Sequence, residues 1–105
     1  METKVVHVRK TPFDVYIGRP YAEFIEGSAL ANPFHQVKGK TRDDVVIEYA
    51  LHFFGPGTKW MRELAMSERY KGKTLGCWCA PLWCHGDIIA GYIEWKKKLD
   101  NGEGL

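Results

Sequence analysis

The strongest constraint on the fold is a change of hydrophobic period late in the chain. Thr74-Leu75-Gly76-Cys77-Trp78-Cys79 is a compact run that reads as a strand. Ala80-Pro81-Leu82-Trp83 interrupts it as a loop. From His85 to about Leu99, Ile88, Ile89, Tyr92, Ile93, Trp95 and Leu99 then form a broad apolar stripe at helical spacing. A strand and a helix that follow each other this closely bury their apolar faces most simply as helices layered on a sheet. Upstream, Lys4 to Lys10 alternates, with Val6 and Val8 on one face and Val5 and His7 on the other, as a strand does. Val15-Tyr16-Ile17 is a second strand, closed by Gly18 and Pro20. The short turn at Thr11-Pro12-Phe13 between the two predicts antiparallel pairing.

Thr41 is a helix N-cap, with Asp43 and Asp44 in the positive first turn. Val45, Val46, Tyr49, Ala50 and Phe53 then face a core, and Gly55-Pro56-Gly57 stops the helix. Thr58 caps a second helix from Lys59 to about Arg69. Residues 19–40 show no period beyond a helical turn at Tyr21–Ile25; loops this long are usually functional. The expected fold is therefore α/β: a small single-layer sheet of about three or four strands with helices packed on it, in the order β-β-α-α-β-α. Residues 1–105 form one domain, with a tail fraying from about residue 100.

Composition narrows the function classes. A hydrophobic content of 45% and an aromatic content of 13% suffice for a packed core and exclude general disorder. A net charge of +2 gives no broad basic field, so nucleic acid is not the favoured partner. The basic run Arg69, Lys71, Lys73 reads as a solvated face. No apolar run approaches a membrane span of ~18 residues, and METKVVHVRKTPF has no signal core. The expectation is a soluble, cytoplasmic protein without a membrane partner.

All three cysteines lie between Cys77 and Cys84, in CWCAPLWCHGD. An odd count at such short spacing fits metal or thiol chemistry in a reducing compartment better than a disulfide framework. Cys77 and Cys79 would share one strand face, with Cys84 and His85 opening the next helix. Three readings stay open. Cys77, Cys79, Cys84 and His85 can ligate zinc, although C-x-C-x4-C-H is not a standard finger spacing. Cys84, at a helix N-terminus, can be a reactive thiol with His85 as acid or base and Asp87 as a further catalytic candidate. Or the cysteines fill space as small hydrophobes, with His85 and Asp87 capping the helix.

If the strands ending at Gly18 and at Cys79 run parallel, their carboxyl ends share the sheet edge where α/β folds bind ligands. Arg19 would then clamp an anion there. Asn32 and Phe34, in Asn32-Pro33-Phe34-His35, would hydrogen-bond and stack on the same ligand. Trp60, Trp78 and Trp95 are core residues by default, and Trp83, in a loop, is the best candidate for exposure.

VYIGRP, NPF and GKTLGCWCAPLWCHGD, taken together, resemble the domain-of-unknown-function family 4326 of bacteria and their viruses, over about residues 5–95. That pattern is a strand ending in Gly-Arg-Pro, a loop with Gly-Asn-Pro-Phe, a helix, and a closing Cys-x-Cys-x-Pro-x-x-Cys-His. Here Ala31 stands in place of the glycine, and the segment from Pro20 to Asn32 is longer. The resemblance implies that Arg19, Asn32, Pro33, Phe34, Cys77, Cys79, Cys84 and His85 belong together, and it implies no activity. It places the protein in a bacterial cell, or in an infected host cell. The leading expectation is a sheet-edge site for a small anionic ligand of nucleotide or nucleoside type. The alternative is a metal-stapled, non-enzymatic module that binds protein or nucleic acid.

Overall fold

The computed structural model describes residues 1–102. Strand β1 is Lys4–His7, β2 is Val15–Tyr16, and helix α1 is Arg42–Phe53. A 3-10 turn at Pro56–Thr58 leads into α2, Lys59–Ala65. Strand β3 is Thr74–Cys77 and α3 is His85–Asp100. Fold class and element order match the expectation: one three-stranded sheet with helices, in the order β1-β3-β2. The expected tail begins where α3 ends; residues 103–105 lie outside the described residues.

The antiparallel pairing of β1 and β2 is wrong. Both run parallel to β3, which lies between them. A seven-residue link normally cannot join parallel strands, but β2 is only two residues long and enters opposite Leu75. The chain returns about two residues' rise, ~7 Å, from the end of β1 opposite Cys77. Asp14 N–H donates to the Thr74 carbonyl and its carboxylate accepts from Thr74 N–H, both at 2.8 Å, which sets the register. The link crosses β3 at Gly76, where a Cβ would stand 2.7 Å from the Phe13 ring; only glycine admits this crossing.

Leu75 and Cys77 point to the helix side and join the core with Ile17, Leu30, Tyr49, Phe53, Ile89 and Ile93. Each large apolar side chain buried there contributes about 1.5–3 kcal/mol. Helix α3 packs against β1, α1 and α2. Of the residues assigned to the α1 core face, Val46, Tyr49 and Phe53 are buried, whereas Val45 and Ala50 are half-buried. Thr41 and Asp44 close a reciprocal capping box at 3.1 and 2.8 Å, worth about 1 kcal/mol.

Other boundaries move for identifiable reasons. Helix α2 stops at Ala65, because the Ser67 hydroxyl bonds back to the Leu64 carbonyl at 2.6 Å and the chain turns. Thr58 does not cap α2; its hydroxyl donates to the carbonyls of His52 and Phe53 at the end of α1. Tyr21 to Ile25 is no helical turn but a tight reversal bridged between Tyr21 and Phe24. Trp60 and Trp95 are exposed rather than core, as is Trp83, while Trp78 is half-buried. Among the described residues no helix is long and apolar enough to cross a membrane.

Candidate functional site

With both neighbours parallel to β3, the carboxyl ends of β2 and β3 open on one edge of the sheet. Strand β3 has no partner beyond Cys77, so it ends there and not at Cys79. Trp78 to Trp83 turn across the edge, through a cis Ala80–Pro81 peptide, into α3. The first turn of α1 arrives at the same edge. These chain ends enclose a cleft of about 200 Å3.

The cleft gathers most of the residues singled out from sequence. Arg19, Asn32, Phe34, Cys77, Cys79, Cys84 and His85 all line it. Asp87 does not; its carboxylate accepts from Cys84 N–H at 2.9 Å and caps α3. Sequence reasoning missed Arg42 and Gln36, which also line the cleft. For Arg42 the signal was present: it follows the Thr41 cap, and a helix entering from the carboxyl edge of a sheet starts beside any site there.

The side of the cleft at α3 is a buried cluster. Cys77, Cys84 and His85 present ligand atoms within 4.8 Å of one another. Cys77 Sγ donates to Cys84 Sγ at 3.3 Å. That bond holds the Cys84 thiol below its ordinary pKa against the opposing effect of burial, with help from Gly86 N–H at the helix start. The Cys77 thiol is lowered by its contact with Cys79, but its bond to Cys84, burial and the charge on Cys84 together push it up to about 11. Cys79 is raised by its bond to Cys77 and by burial, and its sulfur meets Arg42. That contact with Cys79 raises Arg42 in turn.

His85 Nε2 lies 2.8 Å from the Ile17 carbonyl, which can only accept, so Nε2 carries the proton. Burial pushes the His85 pKa down, so the ring is neutral near pH 7, with its Nδ1 lone pair free. A bond of this kind fixes the ring in one tautomer, as it does in histidines that ligate metals elsewhere. Two thiols and one such imidazole are a zinc donor set. The 3.3 Å sulfur separation is near the ~3.8 Å edge of a tetrahedron with 2.3 Å Zn–S bonds. Cys77 and Cys84 also belong to the packed core, so ligation and space filling coincide here.

The opposite wall is the long loop, anchored at several points. Ser28 N–H donates to the Gly18 carbonyl at 2.9 Å, and the Leu30 carbonyl accepts from Tyr49 Oη at 2.8 Å. Asn32 Oδ1 accepts from Phe34 N–H at 2.9 Å, while its Nδ2 donates to the Val45 carbonyl at 3.3 Å. Asn32 thus shapes the loop and ties it to α1. Phe34 packs on the core edge, with its ring against His52. Arg19 is exposed, and its Nη1 donates to His35 Nδ1 at 2.6 Å. Gly18, beside it, has no room for a Cβ because the Tyr16 ring folds over it.

Neither the curated proteins nor the solved structures searched gave a match to this chain. A family model does match, over residues 2–95, which takes in both walls of the cleft and every cysteine. The chain therefore belongs to the family of the domain of unknown function DUF4326.

Proposed function

We propose that the cleft binds a small anionic ligand of nucleotide type beside a zinc ion held by Cys77, Cys84 and His85. One observation carries this reading: the guanidinium-bearing Arg19 and Arg42 line the same small cleft as the buried thiol–imidazole cluster. Two arginines lining one space, with no carboxylate in that lining, favour an anion. The N-termini of α1 and α3 add the positive ends of two helix dipoles.

In this reading Cys77, Cys84 and His85 would hold the zinc, and three protein ligands would leave a fourth position open. Zinc, when bound, supplies a fixed positive charge there. Cys79 stays outside the trio and lines the cleft beside Arg42. Arg19 clamps the anion from the rim, Asn32 keeps the loop against α1, and Phe34 forms the apolar floor. Cys84 is 2% exposed, which argues for ligation rather than attack on a substrate.

The test is calorimetric titration of the zinc-loaded protein with inorganic phosphate. Saturable binding is expected. Arg19→Ala and Arg42→Ala should each weaken it about tenfold or more, since hydrogen bonds to charged groups are worth ~1.5–3 kcal/mol. Unchanged affinity in both variants would refute the anion site.

A further inference from the structure

A second hollow adjoins the cleft. It is lined by Tyr16, Arg19, Pro20, Tyr21, His35 and Trp78, and it measures about 590 Å3. Arg19 and Trp78 line both spaces, so the two adjoin at that pair of residues. The cleft, at about 200 Å3, is below the ~300–1,000 Å3 of pockets that hold a whole drug-sized molecule. The hollow lies within that range. A ligand whose charged end fills the cleft must therefore lay the rest of its body in the hollow.

The hollow is lined by rings held in place from behind. Phe13, Tyr16, Phe24 and Trp78 form an aromatic layer off the core. Phe24 stacks on Tyr16 at 4.2 Å between ring centroids and meets the edge of Trp78 at 6.1 Å. Trp78 Nε1 donates to Tyr16 Oη at 2.9 Å, and that hydroxyl donates to the Arg19 carbonyl at 2.6 Å. Arg9, outside the hollow, lies over the Trp78 ring at 5.1 Å. Tyr21 meets the edge of Trp78 at 5.2 Å, yet it remains 63% exposed. A large aromatic left open beside a fixed indole and an exposed arginine suits a flat, electron-rich ring.

We infer that this hollow is the base subsite of the anion cleft: a mononucleotide lays its phosphate between Arg19 and Arg42 and stacks its base on the exposed Tyr21 ring, with the steeply inclined Trp78 ring bounding the base at its edge. The inference rests on the anion-binding reading above and adds the place where the base is held. It also moves the stacking role from Phe34, half-buried on the core edge, to Tyr21 and Trp78, which the sequence placed in a helical turn and in the core.

The test compares ribose 5-phosphate with the 5′-monophosphates of adenosine, guanosine, cytidine and uridine, by calorimetry on the zinc-loaded protein. At least one nucleotide should bind on the order of 5- to 150-fold tighter than ribose 5-phosphate, the usual gain from stacking one base. Tyr21→Ala, at an exposed side chain, should cut that gain while leaving ribose 5-phosphate affinity unchanged. Trp78→Phe, which keeps a ring, should reduce the gain without abolishing it. Equal affinity for ribose 5-phosphate and all four nucleotides overturns the base subsite and leaves the anion cleft standing. Failure of every phosphate to bind overturns both. A single-stranded oligonucleotide that binds far more tightly than any mononucleotide, with a steep salt dependence, overturns the assignment to a free nucleotide.

Discussion

Two concavities on this small domain differ in a way that separates size from chemistry. A groove of about 670 Å3 along α3, bordered by Phe54, Arg62, Asp87, Ile88, Tyr92 and Trp95, is more than three times the size of the thiol cleft. It is largely apolar, and no thiol or histidine lines it. It is what remains when helix flanks meet at an angle. The cleft is smaller because it lies where two strands end and two helices begin. At such a place backbone groups lose their ladder partners and polar side chains converge. Volume and apolar character are the default guides to a binding site, and here they point away from the reactive groups.

The largest effect that tests this contrast is loss of metal. Protein prepared without chelator is expected to carry about one zinc per chain, and Cys84→Ala to carry none. The residue is buried and small, so the variant should keep its circular dichroism spectrum, and elemental analysis then separates ligation from packing. Equal zinc content in the two proteins would leave the cleft no richer in chemistry than the groove.

How far the site could be read from sequence depended on how local each signal was. Cys84, His85 and the α3 cap are adjacent in the chain, and their grouping was legible from spacing alone. Arg19 was legible too, but only on the condition that β2 and β3 run parallel. The sequence suggested that β2 pairs with β1 instead, because a short link normally means a hairpin. What reverses this is Gly76, which lets Phe13 cross β3 at a distance no Cβ would allow. One missing methyl in a strand is invisible to a period-based reading. Cys79 was legible from alternation, which put it on the face of Cys77: it lines the same cleft and its N–H donates to Cys77 Sγ, although β3 itself ends at Cys77. Arg42 escaped notice because a helix-capping pattern draws attention to Thr41 and Asp44 and away from the residue beside them. The exposed Trp60 and Trp95 escaped for a simpler reason: a core this small is filled by Tyr49, Tyr70 and Phe53, leaving those indoles outside.

An effect of intermediate size should come from the support behind the cleft. Tyr49 is fully buried, and its hydroxyl donates to the Leu30 carbonyl, two residues before Asn32. Tyr49→Phe leaves that buried carbonyl unpaired at a cost of about 1–3 kcal/mol, readable as a lower chemical denaturation midpoint. The loop it anchors forms the Asn32 wall, so phosphate affinity should fall together with stability. Lost stability with phosphate affinity intact would show that the loop holds its shape through its other anchors, at Ser28 and Asn32.

The smallest effect should come from the groove. Trp95 is 46% exposed and touches Tyr92 through a tilted ring contact at 6.0 Å. Trp95→Ala should cost about 1 kcal/mol or less and leave zinc content and phosphate affinity unchanged, because nothing polar in the cleft depends on it. The two concavities do share one physical link. Asp87 lines the groove and also accepts from Cys84 N–H, so it joins the apolar flank of α3 to the residue that opens the cluster. If Trp95→Ala weakened phosphate binding, the change would have travelled through that cap, and groove and cleft would be two faces of one coupled helix start. If only stability moved, the capping bond would be shown to insulate the site from repacking one helical face away.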